Sequence, residues 1–200
     1  MNKDPIILFG GSFDPPHLGH LVIGQWVAEA LSGIVRFLPA GNPPHKKPLG
    51  SGAHRLEMLK IATAGNPSFL VDEYEYRLGK VNYSAETLQR YHREFAVSRE
   101  NLYFVLGSDS LRDLNTWRNP QGIASYATLV AFAREAVDWR ELLLPLNNLR
   151  AKIIICKAPR IEISSTLVRD RVRQGLSVRY LVPPGVEDYI DKMGLYQEGI

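Results

Sequence analysis

The stretch ILFGGSFDPPHLGH, Ile7–His20, decides how this chain reads. An unbroken apolar run from Ile6 meets Gly10 and Gly11, then Ser12, Phe13, Asp14 and two prolines, and ends in His17 and His20. Apolar residues without polar alternation mark a strand whose sheet is covered on both faces. Glycine directly after such a strand lets the backbone approach a ligand closely and tolerates positive φ. The amide N–H groups of the turn, with the N-terminus of a following helix, attract anions. His17 and His20, three residues apart at that helix start, project toward one volume. There two imidazoles can meet negative charge as it develops. Plainer readings stand beside this one: a tight turn, structural histidines, or a zinc pair, for which no third ligand is nearby. Asp14–Pro15 is itself a turn signal.

Outward from this stretch, short apolar runs alternate with helical patterns. Strands are expected at Pro5–Phe9, Ile34–Leu38, Phe69–Val71, Leu102–Leu106, Thr128–Ala133 and Lys152–Cys156. Helices are expected at Gly19–Leu31, Ser51–Ala64, Ser84–Phe95 and Ser164–Gln174, the last closed by Gly175 as a C-cap. The tail Tyr180–Tyr196 reads as a short docked helix, not a linker. The alternation predicts a Rossmann-like α/β fold: a doubly wound parallel sheet flanked by helices, with a small C-terminal helical subregion. Ligands in such sheets sit beyond the carboxyl ends of the strands. We expect residues 1–200 to form a single domain, a length that buries roughly 70% of the unfolded surface.

The chain has 24 Lys and Arg against 21 Asp and Glu, an excess too small to argue for nucleic acid binding. Its one cysteine, Cys156, excludes an internal disulfide and reads as a buried small hydrophobe. No apolar run approaches the roughly 20 residues of a membrane span. Met1–Pro5 is polar and too short for a signal peptide, so a cytoplasmic protein is expected. The fingerprint G-x-G-x-x-G is absent, and VRFLPAGNPPHKK, Val35–Lys47, stands where a redox dinucleotide domain places its acidic residue.

A second constellation lies in ISSTLVRDR, Ile163–Arg171. Ser164, Ser165 and Thr166 open a helix, and Arg169 follows Thr166 by one turn. Ordinary N-capping accounts for the hydroxyls. Free N–H groups, hydroxyls and a guanidinium at one helix end also make a cradle for a polyphosphate.

Together, GGSFDPPHLGH and ISSTLVR resemble the nucleotidyltransferase superfamily with the H-x-G-H signature, here His17-Leu18-Gly19-His20. Five further segments are similar to bacterial nicotinate mononucleotide adenylyltransferases: GNPPHKK (Gly41–Lys47), NYSAETL (Asn82–Leu88), GSDSL (Gly107–Leu111), Thr116–Trp117 and YLVPPGVEDYI (Tyr180–Ile190). The resemblance covers almost the whole chain. Phosphopantetheine adenylyltransferases share the two terminal motifs but are shorter. One departure is that EAVDW follows VAFAR directly, where the family continues with Pro-Gly and a longer stretch.

The resemblance implies adenylyl transfer from ATP to nicotinate mononucleotide, giving nicotinate adenine dinucleotide and pyrophosphate, with Mg²⁺ carried on the ATP phosphates. A regulatory nucleotide-binding module on the same fold is the alternative from another class. The resemblance further implies that His17, His20 and Arg169 act on the phosphates, with His20 nearest the α-phosphate. Gly10, Gly11, Ser12 and Phe13 with Ser164, Ser165 and Thr166 complete an ATP site. Lys46, Tyr83, Ser84, Thr87, Gly107, Asp109, Trp117 and Arg118 are then the mononucleotide side, joined by Gly10 and Ser12. Trp117 would stack on the pyridine, a contact worth about 0.5–1.5 kcal/mol beyond area burial; core packing is its plainer role. The free N–H groups at Tyr83–Ser84 would receive the nicotinate carboxylate. Asp109 would accept from a ribose hydroxyl or cap the helix after it. The partners implied are small molecules, with no nucleic acid or membrane, and the oligomeric state is left open.

Overall fold

The computed structural model describes residues 4–42, 48–133 and 135–197. Six strands, β1 Ile6–Gly11, β2 Ile34–Pro39, β3 Phe69–Val71, β4 Leu102–Gly107, β5 Thr128–Phe132 and β6 Ile153–Ile155, form one sheet in the order β3-β2-β1-β4-β5-β6. Every pairing is parallel. The order reverses between β1 and β4, the switch point at which a doubly wound sheet opens a crevice.

The apolar reading of β1 has a direct cause. Ile6 and Leu8 pack into one buried cluster with Leu88, Phe104 and Leu129, while Ile7 and Phe9 pack into another with Val27, Phe37 and Val105. Successive strand residues face opposite sides, so a strand covered on both has no polar position. The ladder also runs two residues further than expected. Gly10 pairs with Leu38 and Gly11 with Pro39, because β1 is central and held along its length.

The main helices are α1 Leu18–Leu31, α2 Gly52–Thr63, α3 Tyr74–Arg77, α4 Ser84–Glu94, α5 Ser108–Arg112, α6 Pro120–Tyr126, α7 Trp139–Leu143, α8 Ser165–Arg173 and α9 Pro184–Lys192. Ser51 caps α2, accepting from the His54 N–H at 3.3 Å, and Ser164 caps α8, accepting from the Leu167 N–H at 3.1 Å. Gly175 follows α8 at φ +66°, the left-handed turn expected there. α3, α5, α6 and α7 are seven residues or shorter, too short for periodicity to announce. Met58 of α2 packs with Val168 of α8 and with Val186 and Ile190 of α9, which docks the C-terminal helices on the sheet domain. β6 stops at Ile155, which leaves Cys156 half-buried, short of the full burial expected of it. Among the described residues no helix is long and apolar enough to cross a membrane.

Candidate active site

A cleft of about 590 Å³ opens over the carboxyl ends of β1 and β4. Its walls come from distant parts of the chain, among them the glycine turn, the segments around Tyr83 and around Trp117, and the start of α8.

The turn is built around Phe13. This residue sits at φ +48°, unusual for an aromatic, and its ring is buried beside Phe9 and Phe37. The ring lies over Gly11, where a Cβ would stand 3.0 Å from its Cζ. Gly11 is glycine for that reason. Phe13 borders the cleft, and its ring belongs to the core.

The two histidines differ. His17 is the N-cap of α1 and is 1% exposed. It lines a small cavity with Gly19, Phe132 and Ile161 rather than the cleft itself. His20 lines both. The rings stack with centroids 3.7 Å apart, and the His17 N–H donates to His20 Nδ1 at 3.2 Å. An accepting Nδ1 leaves the ring proton on Nε2, so His20 carries a donor on its far nitrogen.

The start of α8 is tied to this turn across the length of the chain. The Ser165 hydroxyl donates to the Pro15 carbonyl at 2.8 Å. Arg169 donates from Nη1 to the Asp14 carbonyl at 2.7 Å and from Nη2 to Thr166 Oγ1 at 3.3 Å. Ser164, Ser165, Thr166 and Arg169 all border the cleft. Since the Ser164 and Ser165 hydroxyls are engaged within the fold, their backbone N–H groups are what this helix end offers an anion.

On the opposite side, Trp117 is half-buried and packs against the core while lining the cleft. Arg118 lies over the Tyr83 ring, 4.4 Å from its centroid. Tyr83 is the N-cap of α4 and Ser84 its first residue, so that helix start also borders the cleft. Gly107 is the N-cap of α5. Asp109, in its first turn, is exposed and pairs with Arg112 at 3.6 Å. Thr87 stands apart from the cleft: it is buried, and its hydroxyl donates to Glu75 at 2.7 Å. Lys46 lies outside the described residues.

Three more residues matter here: Arg55 and Glu75, which the sequence did not single out, and Asp14, which it offered only as a turn former. Arg55, 2% exposed, donates to three main-chain carbonyls: Ser12 at 2.7 Å, Gly41 at 3.1 Å and Gly50 at 3.3 Å. Burial pulls its guanidinium below the usual value, and the Asp14 charge opposes this. An Arg four residues before Leu59 on the buried face of a helix was the available signal. The Asp14 carboxylate accepts from the N–H groups of Leu49 at 2.8 Å and Gly50 at 3.0 Å, and from the Tyr196 hydroxyl at 2.7 Å. It is a hub in addition to a turn former. Glu75 lines the cleft, and burial pushes its carboxyl up while hydrogen bonds from Thr87 and Asn82 pull the other way.

A parallel sheet of this order, with a cleft at its switch point edged by helix starts, histidine and arginine, defines a nucleotide-handling α/β protein. The cytidylyltransferase-like family model matches residues 8–171, and the chain belongs to that family. Within it, the chain belongs to the nicotinate-nucleotide adenylyltransferases. A relative from Thermus thermophilus described as "Probable nicotinate-nucleotide adenylyltransferase" is 41% identical over 191 residues, 95% of this chain and 98% of its own. One from Thermomicrobium roseum with the same description is 40% identical over 195 residues, covering 95% and 90%. The fold is also that of the Plasmodium falciparum nicotinic acid mononucleotide adenylyltransferase complexed with NaAD, at TM-score 0.80 and 19% identity over 97% of this chain and 98% of that one.

Proposed function

We propose that the protein transfers the adenylyl group of ATP to the phosphate of nicotinate mononucleotide, forming nicotinate adenine dinucleotide and releasing pyrophosphate in NAD biosynthesis. One observation carries the reading. A single cleft joins an end rich in anion donors, made by His20, the start of α8 and Arg169, to an aromatic end with its own helix start at Tyr83–Ser84.

The acceptor phosphate supplies the nucleophile. Its oxygen attacks the α-phosphorus, the α–β bridging P–O bond breaks, and pyrophosphate leaves with the electron pair. The protein then has to position two anions and stabilise charge. His20 Nε2–H donates to an α-phosphate oxygen, and His17 fixes that ring by stacking and through its N–H. Arg169 with the N–H groups of Ser165 and Thr166 holds the β and γ phosphates. Gly10, Gly11 and Ser12 present backbone at the join. Trp117 stacks on the pyridine, and the N–H groups at Tyr83–Ser84 receive its carboxylate, which favours nicotinate over the neutral amide. Lys46 is the expected contact to the mononucleotide phosphate. Mg²⁺ enters on the triphosphate as part of the substrate. Residues 1–200 act as one domain in the cytoplasm.

Pyrophosphate release is measured with ATP, Mg²⁺ and a panel of acceptors. The reading expects release with nicotinate mononucleotide and much less with the amide. Release with phosphopantetheine alone transfers the protein to a sister activity. ATP binding that survives His20→Ala in a parent without turnover makes it a binding module.

A further inference from the structure

Tyr196 ties the C-terminal segment to the triphosphate end. It is half-buried and sits at φ +63°, a left-handed backbone that a bulky side chain adopts only when its surroundings impose it. Its hydroxyl reaches Asp14 at 2.7 Å, beside the turn that carries the histidines. Burial and the Asp14 carboxylate both push the phenol up, so it remains a proton donor throughout the working pH range.

The Asp14 carboxylate stands 4.0 Å from Arg169 Nη1, close enough to attract it and too far to bond. Arg169 is bonded instead to the uncharged carbonyl of Asp14 and to Thr166. Three donors hold the carboxylate where it is, and two belong to adjacent residues of one loop, Leu49 and Gly50. The third, Tyr196, shares Oδ1 with Gly50 and comes from elsewhere in the chain. Without it the carboxylate can swing the remaining distance, pair with Arg169 and neutralise the charge the triphosphate needs.

We propose that Tyr196 is a positioning residue for ATP: its hydroxyl restrains the Asp14 carboxylate and thereby leaves the Arg169 guanidinium available to the phosphates. The inference rests on the adenylyl-transfer reading for the identity of the anion. It predicts an effect confined to one substrate. The loop at Leu49–Gly50 stays in place, because Arg55 holds the Gly50 carbonyl independently. The tail keeps its apolar contacts and the Leu18 N–H bond to the Leu181 carbonyl.

The test is Tyr196→Phe in the full chain, with KM for each substrate, calorimetric Kd for ATP, and Tm. We expect KM and Kd for ATP to rise about threefold to tenfold, the net effect of one hydrogen bond, with the mononucleotide KM within about twofold. A second variant reaches the same contact differently. A Cβ on Gly50 would stand 2.6 Å from Asp14 Oδ1 and 3.0 Å from the Tyr196 hydroxyl, so Gly50→Ala separates the pair while removing neither. It should give the same ATP-selective change, and it decides the matter if Tyr196→Phe does not fold. Equal losses for both substrates, or a lower Tm with both constants unchanged, overturn the inference. Wild-type protein without turnover on ATP and nicotinate mononucleotide overturns the underlying reading instead.

Discussion

Replacing Arg55 by Met removes a buried guanidinium and keeps most of the apolar stem. Three main-chain carbonyls, of Ser12, Gly41 and Gly50, then lose a charged donor inside the protein. A hydrogen bond to a charged group contributes about 1.5–3 kcal/mol. The 3.3 Å contact to Gly50 and the 3.1 Å contact to Gly41 argue for the lower end, so the loss is about 4.5 kcal/mol. Against a total stability of about 5–15 kcal/mol this is a severe perturbation. At about 2–4 °C per kcal/mol for a domain of this size, Tm should fall by roughly 9–18 °C. Arg55→Lys should recover part of it, since one ammonium cannot span three carbonyls on separate segments. Differential scanning calorimetry gives the order wild type, Lys, Met. At a temperature where Arg55→Met is still folded, KM for both substrates should rise together, because Arg55 holds the Ser12 side of the join and the Gly41 loop alike. A Met variant within about 1 kcal/mol of wild type would refute the view that this guanidinium assembles the cleft walls.

Trp117→Ala should raise KM for the mononucleotide about threefold to tenfold with ATP little changed, the size of a lost ring contact; steady-state kinetics decides, and a variant that only unfolds assigns Trp117 to the core. Gly24→Ala should lower stability by about 1–3 kcal/mol in urea unfolding, although Ala is the better helix former. A Cβ there would lie 2.8 Å from Phe37 Cζ and 3.2 Å from the Phe69 ring, both packed between α1 and the sheet. A stabilised variant would contradict that packing. Glu75 gives a pH signature. Its folded pKa is raised above the reference 4.5, so the protonated form contributes stability that is complete below about pH 4.5 and is lost as pH climbs through the folded value. Glu75→Gln does not titrate. The stability of wild type relative to this variant should therefore fall as pH rises above about 4.5, and a difference independent of pH would show that burial is not felt by this carboxyl.

The sheet was legible because its physics is local. Residues such as Ile7 and Leu8 are apolar on both faces since helices cover both, and a run of such residues announces itself without knowledge of its neighbours. The histidine turn and the α8 start were legible for the same reason, each being a strand-to-helix or loop-to-helix junction with its own composition. Arg55, Tyr196 and the part of Asp14 beyond its turn were not, because their roles exist only across the fold. The bond from Tyr196 to Asp14 joins residues 182 positions apart, and nothing in either neighbourhood points to the other. Thr87 shows the converse, a sequence position whose side chain turns to a partner the sequence does not announce. Its position four residues beyond Tyr83 put it near the expected pocket, while the turn of α4 carries its hydroxyl inward to Glu75.

The two networks explain why a site drawn from distant segments can keep one geometry. Arg55 fixes backbone to backbone: its three acceptors are carbonyls whose positions do not depend on protonation. Asp14 is the charged junction: its carboxylate acts electrostatically on the Arg55 guanidinium and stands 4.0 Å from that of Arg169 without a hydrogen bond to it. Neutral donors from Leu49, Gly50 and Tyr196 make that possible, since they stabilise a carboxylate without cancelling a cation that a triphosphate requires. Asp14→Ala should then harm folding more than charge balance, because three donors lose a common acceptor. A loss of stability well above that of Tyr196→Phe is the expected sign that the carboxylate is the junction and the phenol its restraint.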